Sequence, residues 1–145
     1  MKNTCKAVLI AGILMMTIGG QQARAQQAER VVQFNAPFAF QVENTKLPAG
    51  EYTILEQSGW VQIQTKSGKN AAHVLTMPVA SKEQKTVEES QVVFHNYAGQ
   101  MFLAEIWASG QEKGRELLES KEEQQLAKRE KMAKVTAPAR VVTAK

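Results

Sequence analysis

The sequence predicts a mainly β chain, a single antiparallel sandwich or small barrel of about seven strands, with one C-terminal α-helix. Three observations point there. Between residues 31 and 107, short apolar or alternating runs are broken by turn signals roughly every 8–12 residues. Within one of them Val61 and Ile63 alternate with Gln62 and Gln64, the two-residue period of a strand with one face buried. After Ser120 the chain becomes charged and rich in helix formers, and the strand pattern stops.

Taken from its start, the chain opens on an export leader. Lys2 and Lys6 make a positive segment, residues 7–18 are a run of apolar residues and glycine broken only by Thr17, and Ala23-Arg24-Ala25 supplies the small residues of a cleavage site. Cleavage after Ala25 makes Gln26 the first mature residue. A spanning helix needs about 20 apolar residues, and the 12 of this run are followed by Gly19, Gly20, Gln21 and Gln22. No membrane span is therefore expected after cleavage. Cys5 lies before the apolar run, which argues against a lipid anchor.

Strands are expected at 31–34, 38–42, 51–56, 60–65, 71–77, 91–96 and 100–107, with a last short one at 115–118. Pro48-Ala49-Gly50, Ser58-Gly59 and Ser67-Gly68 are turn sequences, so the three runs they delimit should form a meander. Asn96-Tyr97-Ala98-Gly99 suits a three-residue hairpin loop with glycine in the left-handed region. That loop pairs Phe94 with Phe102 and Val92 with Ala104 on one face, Val93 with Leu103 and His95 with Met101 on the other. Both faces are apolar, as in an interior hairpin.

Ser120 followed by Glu123 is a capping box, Glu122 and Glu123 suit a helix N-terminus, and Glu130 can pair with Lys134. A helix is expected over 121–134, with little apolar surface beyond Leu126, Ala127 and Met132. Residues 135–145, with Pro138 and three alanines, are expected to be a disordered tail. The domain plan is thus a leader at 1–25, a β domain at 26–118, a charged helix at 119–134 and the tail.

Composition bounds the function. Of 18 Lys and Arg, three (Lys2, Lys6, Arg24) leave with the leader, so against 14 acidic residues the mature chain carries a net charge of +1. Such a chain lacks the strong basic face that neutralises nucleic-acid phosphates, and no nucleic-acid partner is expected. The single cysteine also leaves, so disulfides, thiol nucleophiles and thiolate ligands are excluded from the mature protein. There is no aspartate, the histidines are His73 and His95 alone, and no Gly-x-Ser-x-Gly elbow occurs.

The remaining chemistry-bearing groups are sparse. In the register above Glu105 lies four residues along the strand from the partner of His95, about 13 Å away at ~3.3 Å per residue. That spacing excludes an acid-base dyad. His95 and His73 read first as histidines satisfied within strand faces, and metal ligation is the lesser reading. Trp60, Trp107, Tyr52 and Tyr97 read first as packing, and second as a stacking platform. No catalytic residue, cofactor or metal is expected; His95, Glu105 and Trp107 are the ligand-face candidates.

Residues 31–126 carry Leu47-Pro48-Ala49-Gly50-Glu51-Tyr52-Thr53, then Val93-Phe94-His95-x-Tyr97 with Phe102-Leu103-x-Glu105-x-Trp107, then Gly114-Arg115-Glu116-Leu117 before a charged helix. In this combination the chain resembles a large family of small exported bacterial proteins of unknown function. The resemblance implies an exported one-domain β fold and assigns no activity to His95, Glu105 or Arg115. The expected role is noncatalytic, binding or structural association with an envelope or extracellular partner. A carrier of small hydrophobic ligands with an internal cavity is the alternative, and an enzyme built from His73, His95, Glu51, Glu105 or Arg115 the third.

Overall fold

The computed structural model describes residues 30–81, 86–133 and 138–144; the expected leader with its cleavage residues Ala23 and Ala25, and the expected first mature residue Gln26, lie outside them. The described chain is mainly β, with ten strands and a single helix: β1 (Arg30–Ala36), β2 (Phe40–Val42), β3 (Thr45–Leu47), β4 (Gly50–Gln57), β5 (Trp60–Thr65), β6 (Asn70–Ala80), β7 (Gln91–Tyr97), β8 (Gln100–Trp107), β9 (Lys113–Leu117), α1 (Lys121–Ala133) and β10 (Arg140–Thr143).

The meander forms as expected: β4, β5 and β6 pair in antiparallel sequence, with β1 on the outside of β4. β6 is long enough to pair with β5 through Leu75 and with β9 from Thr76 onward, so it carries the ladder from one half of the molecule to the other. β8 organises the second half. β7 runs along it as a hairpin, β9 pairs with it at Glu105 and Ile106, and β2 pairs with it in parallel at Phe102. The sheet is therefore mixed, and it does not close into a barrel. An isolated bridge between Phe34 and Ala144 links its first strand to the end of the chain.

Alternation explains the core. Along β1, β4 and β5 every second side chain is buried: Val32, Phe34 and Ala36, then Tyr52 and Ile54, then Val61 and Ile63. These meet Val92 and Phe94 of β7 and Met101, Leu103 and Ile106 of β8 in one cluster. Aromatic rings fill its centre, with Phe40 against Tyr52 and Phe94 edge-on at 5.2 Å and Phe34 stacked on Tyr52 at 5.7 Å. The Tyr52 hydroxyl, its pKa raised by burial, donates to the Pro48 carbonyl at 2.7 Å, which gives the Pro-Ala-Gly-x-Tyr turn its mechanism. The same inward face carries Glu56, whose carboxylate accepts from Arg115 Nε at 2.8 Å.

Three expectations are corrected. The hairpin turns on two residues, Ala98 and Gly99, both at positive φ (52° and 82°), which shifts the register by one: His95 faces Phe102 and Phe94 faces Leu103. A bulge then adds a second shift, leaving Ala104 unpaired and setting Val93 opposite Glu105. The expected tail is strand over Arg140–Thr143, because the outer edge of β7 is open to it and supplies the ladder bonds. Finally, the strands number ten rather than about seven: β3 and β10 were too short to show a period.

Candidate functional site

The outer face of the β7–β8 hairpin carries Val93, His95, Tyr97, Phe102, Glu105 and Trp107, and α1 lies across it. Ser120 caps the helix, its Oγ accepting the Glu123 N–H at 3.1 Å, as the sequence indicates. The reciprocal half of the capping box is replaced. The Glu123 carboxylate, with only 6% of its side chain exposed, instead meets His95 Nδ1 at 3.0 Å. One turn on, Ala127 is buried, and farther along the helix Glu130 accepts the Ala98 N–H at the tip of the hairpin. Lys134, the expected partner of Glu130, lies outside the described residues.

A buried carboxylate has to be paired, and Glu123 finds its partner in a half-buried imidazole. The His95 pKa is raised, chiefly by the hydrogen bond that its protonated ring donates to the Glu123 carboxylate, with further attraction from Glu123, Glu119 and Glu105, while burial opposes the shift. Tyr97, packed edge-on against His95 with ring centres 5.6 Å apart, is also raised, by burial first and then by Glu123, Glu119 and Glu130. His95, Glu119 and Glu123 each present one donor atom, all within 4.8 Å of one another.

Each residue singled out in the sequence has a definite place. His95 is the centre of this cluster. Glu105 reaches the same face because the bulge places it opposite Val93, two residues from His95, instead of far along the strand. It accepts the Trp107 indole N–H at 2.8 Å. Trp107 itself is 8% exposed and lies flat over Gly114, so it is packing rather than a stacking platform. His73 stands elsewhere, exposed on β6, its ring edge-on to Trp60 at 4.2 Å. Arg115 is committed to Glu56 and Glu51 lies at the surface. These groups do not converge in one cleft.

Sequence reasoning missed Glu119 and the second use of Glu123. The capping box accounted for Glu123 locally, and nothing in a helix period signals that an N3 carboxylate will be diverted to a strand 28 residues earlier. The two clefts described open on other surfaces. One of about 530 Å³ is lined by Gln33, Asn35, Glu51, Lys66 and neighbours, and one of about 290 Å³ by Phe38, Gln41, Lys46 and the hairpin tip. Comparisons with protein-family models, with characterised proteins and with solved structures find no match to this chain.

Proposed function

We propose that this is an exported, noncatalytic β domain that works by binding a partner in the periplasm or outside the cell. The leader supports export. The observation that carries binding is the outer face of the β1–β4–β5–β6 half. There the cross-strand rows Val31–Leu55–Gln62–His73 and Trp60–Leu75 lie side by side. Val31 and Leu75 are 50% and 62% exposed on it, and Met77, 49% exposed, follows two residues along β6 where that strand pairs with β9. Exposed apolar side chains gathered on one face mark an interaction surface more often than chance scatter does. Against catalysis stands the dispersal of the ionisable groups, His73 against Trp60 and His95 against Glu123. The ring-filled core speaks against the carrier alternative.

Two measurements test this reading. Mass analysis of the protein recovered from its native envelope should find Gln26 at the N-terminus, and an intact leader overturns export. Affinity capture should then be run with the parent and Leu75→Glu in parallel. A partner held by the parent and lost from the variant supports the apolar face as the contact. Identical capture by both refutes that face, and a copurifying small molecule retained by both favours carriage.

A further inference from the structure

We propose that His95, Glu119 and Glu123 form a zinc site that ties α1 to the β7–β8 hairpin. The inference goes beyond the binding role above and does not depend on it. Its basis is the donor set. One imidazole and two carboxylates, from a strand and from the start of the helix, bring one atom each to within 4.8 Å. A nitrogen donor disfavours calcium and magnesium, which take oxygen, and suits zinc, which takes imidazole and carboxylate together.

The geometry is close to what the ion requires. Zinc bonds of about 2.0–2.1 Å in a tetrahedron separate neighbouring donor atoms by about 3.3 Å. His95 Nδ1 and Glu123 Oε1 stand 3.0 Å apart, already near that spacing. Glu119 must draw in by at most about 1.5 Å to reach it, and this side chain, exposed just before the helix cap, can do so by rotation. His95 and Glu123 are held by the strand and the helix, so only one ligand has to move. The exposed side of the cluster is also the path by which an ion enters and where water takes the fourth position.

Charge favours occupation. Glu105, Glu119 and Glu123 all act on His95, so these four groups carry at most one positive charge against three negative. A divalent ion in place of the imidazole proton leaves one negative charge uncompensated instead of two. Glu105, held by the Trp107 indole N–H, adds its negative charge to the field at His95. The N-terminal end of the α1 dipole, worth about half a charge, repels a cation within the first turn where Glu123 stands, but three full negative charges outweigh it.

The test is titration of the metal-free protein, purified without a histidine tag, with zinc chloride, and with cobalt chloride for its visible absorption. Saturable binding of one ion per chain is expected, with tetrahedral cobalt bands. Glu119→Gln, at an exposed position, should weaken zinc by at least the about 10–100-fold that even outer partners of a ligand contribute. His95→Gln should abolish the cobalt bands, and His73→Gln should leave both readouts unchanged. If His95→Gln does not fold, Glu119→Gln decides. Failure to saturate at one equivalent, an affinity within twofold of parent in Glu119→Gln, or loss of binding in His73→Gln overturns the proposal.

Discussion

Replacing Gly114 by alanine should destabilise the protein by about 2–4 kcal/mol, and the reason is one ring. Gly114 lies in β9, and its φ is not positive, so its backbone does not demand glycine. What excludes a side chain is Trp107. A Cβ at position 114 would stand 2.6 Å from Cδ2 and 2.8 Å from Cε2 and Cε3 of the indole. Carbon atoms pack at about 3.5–4.0 Å, so the ring would have to retreat by roughly 1 Å. Overpacking of this kind costs about 1–3 kcal/mol. The retreat also strains the 2.8 Å bond from the indole to Glu105, and a hydrogen bond to a charged group is worth about 1.5–3 kcal/mol. Without the ring, the sign would reverse, because glycine to alanine at a compatible backbone stabilises by about 0.4–1 kcal/mol through the unfolded chain. Urea unfolding followed by far-ultraviolet circular dichroism measures the change. In a Trp60→Phe background the fluorescence reports Trp107 alone and should shift to the red. A midpoint equal to or above that of the parent, with unshifted emission, refutes the argument.

Other perturbations test other parts of the fold. Phe94→Ala removes a fully buried ring from the aromatic centre and should cost about 3–5 kcal/mol in the same urea assay; a loss under 1 kcal/mol would mean that the core is not packed as described. Ala98→Gly should stabilise, by up to about 1 kcal/mol, since alanine at φ 52° carries left-handed strain that glycine relieves; a lower melting temperature would refute it. In chelator-treated protein the His95–Glu123 contact should be pH-dependent. The His95 pKa is raised on folding, so its contribution is complete below the ordinary imidazole value of 6.5 and is lost as pH rises through the higher folded value. The stability difference between parent and His95→Gln should therefore shrink from pH 5 to pH 8, and a constant difference would contradict this.

Much of the fold was legible because its strands obey a two-residue period and its turns carry their own chemistry. β5 and β8 fall on their expected residues, and β4 and β7 differ only at their ends. What escaped was decided between elements. Thr45-Lys46-Leu47 is too short for a period, and it becomes a strand because β2 offers it an edge. Asn96 to Gly99 suits two loop lengths, and the shorter forces Ala98 into a conformation that sequence alone disfavours. Its cost is set against the Glu130 carboxylate that accepts the Ala98 N–H from across the helix. The site was half visible. His95 and Glu105 were singled out and wrongly separated, because an error of one residue in the loop and a bulge at Ala104 move Glu105 along the strand. The docking of α1 was hidden for a different reason: it rests on Glu123, Ala127 and Glu130, and a helix that binds through carboxylates and one alanine shows no apolar stripe.

The bridge from Phe34 to Ala144 couples the earliest strand to the last described residue, and the Ala144 N–H also donates to Ser90 at 2.7 Å. A chain joined in this way cannot complete that contact until residue 144 has been made. Its slowest contacts span more than a hundred positions, the topology that lengthens folding times.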